Sequence, residues 1–232
     1  MRRLDDVLAW ATLAAMLVAQ SLIFLVVPTE SEMGIVQRIF YFHVPAAFAA
    51  YLCFATVAGS GAVYLWKGWA GADRLGMAAA EVGTLFCTLV LITGPIWARP
   101  IWGVWWTWDP RLTMTLIIWA IYAGYVMLRA FGGDEDATSR YAAVLGIVGA
   151  LAIPAVHYSV LLLQGIHPAV LTRREGGSGL VDPTMRMTLL VSTIAMLLLA
   201  CWLMRLRIRT ARLETTVRAL RRQLESREGA VA

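Results

Sequence analysis

At 232 residues, with 59% hydrophobic and 15% charged residues, the chain is too apolar for a soluble domain, in which about a quarter of residues are charged. The length suits one bundle of membrane helices with little outside it. The net charge of +5 does not argue for nucleic acid, because eight of the twenty Lys and Arg residues follow Met204 and so describe a tail. Cys53, Cys87 and Cys201 lie far apart inside apolar runs with no C-x-x-C pair, so they indicate neither thiol exchange nor zinc and read as packing residues. Imidazole chemistry must use His43, His157 or His167.

The first apolar run, Leu8 to Val27, is twenty residues long, enough to cross a bilayer core at about 1.5 Å per residue. Asp5 and Asp6 spoil the basic start of a signal peptide, and no small-residue cleavage site precedes Pro28. A retained helix is therefore expected. The polar segment PTESEMGIVQR leads to a second run, about Val44 to Trp66, and a third spans about Met77 to Trp97. A fourth follows at about Leu112 to Leu128, a fifth at about Tyr141 to Gln164, and a sixth at about Met185 to Met204. Lipid offers no hydrogen-bond partners, so each span must satisfy its own backbone as a helix. The expected fold is an all-α integral membrane bundle of six helices over residues 1–204, with a basic amphipathic tail over 205–232.

Six spans put both termini on one side. Lys67, Arg74, Arg129 and Arg140, with Arg2 and Arg3, balance Arg38, Arg99, Arg111, Arg173, Arg174 and Arg186 on the opposite face. The tail breaks the tie, because its arginines begin right after the last span, and cytoplasmic termini are expected. Within the tail, Leu206, Leu213, Val217, Leu220 and Leu224 follow a seven-residue pattern, with Thr210 filling one gap. That stripe suits a partner helix or, more simply, the anionic inner leaflet.

The same parity gathers the chemistry on the outer face. The loop between the third and fourth spans reads WGVWWTWDPRLT, with four of the ten tryptophans between Trp102 and Trp108. On a helix, Trp102, Trp105, Trp106 and Asp109 would share one face by their i, i+3, i+4, i+7 spacing. An aromatic interface belt explains one or two indoles, but four beside Asp109 and the flanking Arg99 and Arg111 exceed it. His43 begins the second span and His167 ends the fifth, both at this face. His157, ten residues earlier, falls about 15 Å deeper and reads as polar glue between helices. Two imidazoles and an indole shelf suit a haem: iron takes axial imidazoles, the porphyrin stacks on indoles, and its propionates call for arginine, with Arg38, Arg99 and Arg111 as candidates. A bare ion would find a thin set of ligands here.

WGVWWTWDPRLT resembles the tryptophan-rich signature of the haem-handling superfamily of cytochrome c biogenesis. RIFYFHVPAA around His43, IPAVHYSV around His157, and the His167 segment followed by DPTMR resemble its CcmC branch, the haem exporter protein C family. The likeness runs from about Arg38 to Arg186. It implies a multi-pass protein of the bacterial cytoplasmic (inner) membrane that holds haem b as cargo, facing the periplasm. His43 and His167 would be the axial ligands, with Trp102, Trp105, Trp106, Trp108 and Asp109 against the porphyrin. The implied partners are a periplasmic CcmE-like haem chaperone, an ABC ATPase, a permease-like subunit and a small single-span subunit, with membrane lipid around them and no nucleic acid. The chain itself is expected to transfer haem and not to catalyse, since it has no G-x-x-x-x-G-K-[ST] loop. Two alternatives stay open: a haem–cytochrome c ligase of the synthase type, which should need a second histidine pair, and a permease, which should need polar residues at depth. Glu81, placed near the inner end of the third span, is expected simply to meet inner-side water.

Overall fold

The structure, a computed structural model, describes residues 2–133, 135–162, 180 and 182–231. These form helices and, among the described residues, no strand: α1 (Arg2–Ser21), α2 (Phe40–Lys67), α3 (Ala70–Trp102), α4 (Pro110–Phe131), α5 (Glu135–Leu151), α6 (Ile153–Leu162) and α7 (Pro183–Val231). A π-helical turn, Leu22–Val26, extends α1, and a 3₁₀ turn, Ile35–Ile39, feeds α2. Among the described residues, six stretches are long and apolar enough to span a membrane.

The helices overrun the apolar runs at their ends, because backbone pairing continues where the side chains have already turned polar. α3 starts seven residues before Met77, and the added turn carries Asp73 and Arg74. The fifth run is not one helix. Pro154 has no N–H to give the preceding turn, so the chain breaks at Ala152 and resumes as α6. The junction is held by Ala152 N–H to Gly149 O (3.2 Å) and Ala155 N–H to Ala152 O (3.1 Å). α7 behaves in the opposite way, running 49 residues through Met204 without a break. Its tail stripe of Leu213, Val217, Leu220 and Leu224 is exposed.

The main core joins α2 and α3 through small side chains. Ala46, Ala49, Ala50 and Cys53 of α2 are buried, as are Ala78, Ala79 and Ala80 of α3. A Cβ at Gly83 would lie 2.7 Å from the Phe54 ring and 2.9 Å from Cys53 Cβ, so only glycine permits this approach. Phe54 also stacks on Tyr122 of α4, with centroids 3.7 Å apart and planes 7° apart. The buried Tyr122 hydroxyl donates to Gly146 O at 2.8 Å, tying α4 to α5. A second, smaller cluster lies at the far end: Ile23, Val27, Phe40, Tyr41, Trp97, Met185 and Leu189 bring together the ends of four spans.

The end where α1 starts is closed by ion pairs. Arg129 donates to Asp73 at 2.8 Å and closely to Ser139 Oγ. Arg205 grips Asp5 at 2.7 and 2.9 Å, and Arg207 takes both oxygens of Glu81, one at 3.0 Å. Glu81 therefore differs from expectation: its carboxylate faces a guanidinium 126 residues away, not only water.

Candidate functional site

The opposite end collects the start of α2, the end of α3, the start of α4 and the start of α7. Glu81 and Trp97 are sixteen residues apart on α3, so this end is about 24 Å from the Glu81 clasp.

His43 occupies the first turns of α2 and is 9% exposed. Three α3 residues enclose its ring. Thr93 Oγ1 lies 2.9 Å from Nδ1. Gly94 leaves room at Cε1, where a Cβ would come to 3.4 Å. Trp97 packs at 5.8 Å between centroids, tilted 59°, and also meets Phe40 edge-on at 5.9 Å. Pro95, inside α3, lacks the N–H that would bond back to Leu91, so the helical ladder is interrupted beside His43.

The tryptophan stretch is not the helical platform expected from its spacing. Only Trp102 is helical, as the last residue of α3. Gly103 then adopts φ 76°, the left-handed conformation that closes helices, and its N–H bonds Arg99 O at 3.0 Å. At the other end Pro110 disfavours helical backbone at Asp109. Asp109 instead caps α4, its carboxylate accepting from Arg111 N–H at 2.9 Å. Residues 103–109 are thus irregular, and local turn chemistry overrides the 3.6-residue pattern. The indoles separate accordingly. Trp105 and Trp108 are 59% and 76% exposed, whereas Trp106 turns partly inward and meets Trp108 edge-on at 5.9 Å.

α7 opens with the same device: Asp182 precedes Pro183 and accepts from Thr184 N–H at 2.6 Å. Two Asp-Pro pairs therefore set the helix starts at this end. The arginines stand around them. Arg38 lies in the 3₁₀ turn and donates to Phe24 O at 3.4 Å. Arg99 is exposed in the last turn of α3. Arg111 opens α4, within electrostatic range of Tyr51 on α2. The positive ends of α2 and α4 add to these charges.

Several buried polar atoms here have no hydrogen-bond partner among the described residues: Trp97 Nε1, Trp106 Nε1, Thr107 Oγ1, Thr113 Oγ1 and Arg38 Nε. Buried donors are normally paired, so these atoms call for a ligand or for residues beyond those described. Exposed indoles, arginines and a buried imidazole at one end of the bundle are a donor set that fits a flat apolar ligand carrying anionic groups and a metal. Arg38, His43, Arg99, Trp102, Trp105, Trp106, Trp108, Asp109 and Arg111 all lie at this end. His167 lies outside the described residues. His157 is in α6, one turn past the Pro154 break, and its side chain is likewise outside the description. Sequence reasoning missed Thr93 and Trp97. Their i, i+4 spacing, which puts both on one face of α3, was the available signal.

A family model described as heme exporter protein C matches residues 1–223. Among the relatives are three proteins named heme exporter protein C. That of Bradyrhizobium diazoefficiens is 35% identical over 201 residues, covering 86% of this chain and 76% of the relative. That of Escherichia coli K12 is 32% identical over 182 residues (78% and 73%). That of Rhodobacter capsulatus is 30% identical over 208 residues (88% and 83%).

Proposed function

The chain belongs to the heme exporter protein C (CcmC) family, and from that premise we propose that it handles haem in cytochrome c biogenesis, binding it at the tryptophan end of the bundle and passing it on. The observation that carries this reading is the buried His43, held against Thr93 and Trp97 of α3, the helix that runs into the tryptophan stretch. His43 and His167 are the axial ligands. Trp102, Trp105, Trp106 and Trp108 supply flat apolar surface, and Arg38, Arg99 and Arg111 meet the propionates. Asp109 acts by capping α4, which fixes where the stretch ends.

The iron supplies the bond that the two imidazoles make, and everything else is placement. Trp105 and Trp108 stand mostly in the open. Cargo held against them keeps an accessible edge, which suits hand-off to a periplasmic haem chaperone. The tryptophan end faces the periplasm, the haem is of the b type, and an ABC ATPase, a permease-like subunit and a small single-span protein complete the assembly. Any ATP hydrolysis belongs to that other chain. The test is haem content: purified full-length protein shows a Soret band, and His43→Ala loses it while retaining its helical circular dichroism. Undiminished haem in a folded His43→Ala overturns the reading.

A further inference from the structure

We propose that Thr93 is a positioning residue that fixes the tautomer of His43, holding the hydrogen on Nδ1 and presenting the lone pair of Nε2 to an axial partner. This rests on the reading of His43 as a haem ligand.

The direction of the hydrogen bond follows from counting hydrogens. A threonine hydroxyl has one hydrogen to donate and two lone pairs with which to accept. Thr93 Oγ1 stands 2.7 Å from Leu89 O, one helical turn back, and its hydrogen goes there. With its hydrogen assigned to Leu89 O, the oxygen 2.9 Å from His43 Nδ1 accepts, and the imidazole takes the donor role. A neutral imidazole that donates from Nδ1 carries its lone pair on Nε2.

The backbone of α3 sets the geometry. The bond to Leu89 O pins the hydroxyl rotor, so the accepting lone pair points in a fixed direction. Gly94 and Trp97 close on the same ring, from Cε1 and from its face. Three residues on one helix thus bear together on ring position, ring rotation and proton position. A hydroxyl also differs from the carboxylate that often backs a ligating histidine. Being neutral, it orients the ring while adding less electron density to Nε2 than a charged partner would. That combination suits a site whose cargo must leave.

The experiment uses full-length protein in detergent or nanodiscs, with labelled imidazole nitrogens read by NMR before haem is added. His43 should show a protonated Nδ1 in the wild type, and both tautomers should appear in Thr93→Val, which keeps the shape and removes the acceptor. In a haem titration followed by the Soret band, Thr93→Val should bind at least about tenfold more weakly, as loss of a partner behind a ligating histidine does. Thr93→Ser should restore both the tautomer and the affinity. A wild-type His43 protonated on Nε2 would overturn the proposal, even if Thr93→Val failed to fold. So would a folded Thr93→Val with unchanged tautomer and affinity. Retention of haem by His43→Ala would instead overturn the functional reading, so the two failures are distinguishable.

Discussion

The two ends of the bundle use the same residue types for opposite purposes. Where α1 begins, carboxylates meet guanidinium groups: Asp73 with Arg129, Asp5 with Arg205, Glu81 with Arg207. At the tryptophan end, Glu30, Asp109 and Asp182 each accept from backbone N–H groups and shape turns or helix starts. One end is clamped by its charges. The other commits its acids to the backbone and carries Arg38, Arg99 and Arg111 nearby. Ion-paired and backbone-capping carboxylates thus lie at opposite ends of the bundle.

Removing charge at the clamped end should cost most. Asp73→Ala strands Arg129, whose side chain is only 13% exposed, and should lower stability by about 3 kcal/mol. Thermal unfolding in detergent checks this, and haem bound per folded molecule should not change. Gly83→Ala, between the ends, forces a Cβ against the Phe54 ring and should cost about 1–3 kcal/mol. Asp109→Ala removes the α4 cap, at about 1 kcal/mol. Unlike Asp73→Ala, it should also weaken haem binding, because it frees the end of the tryptophan stretch. Trp108→Ala gives the smallest stability effect. With the indole 76% exposed, unfolding should shift by less than about 0.5 kcal/mol while the Soret titration weakens. Equal haem affinity in Trp108→Ala and wild type would remove the functional difference between the ends.

Much of this plan is written in local sequence. Apolar runs mark all six spans, and parity brings His43 and the tryptophans to one end. Legibility fails where two local rules compete. WGVWWTWD satisfies helical spacing, yet Gly103 and Asp109-Pro110 each end or start a helix, and backbone sterics outweigh side-chain periodicity. Pro154 divides the fifth span for a similar reason. Long-range partners are harder still. Nothing near Glu81 announces Arg207, and Thr93 in an apolar run resembles any other hydroxyl that bonds back to its own helix. Only the packing of α2 on α3 turns that hydroxyl toward an imidazole fifty residues earlier.

The unbroken course of α7 changes how the C-terminal segment can be manipulated. Residues 205–231 continue the last span as one rod, about 40 Å long. Its first turns supply the basic halves of the Asp5 and Glu81 pairs. Trimming the protein after Met204 would therefore not detach an accessory. It would leave two acids in the bundle without their counter-charges, so a truncated variant would report a loosened base as well as any lost association.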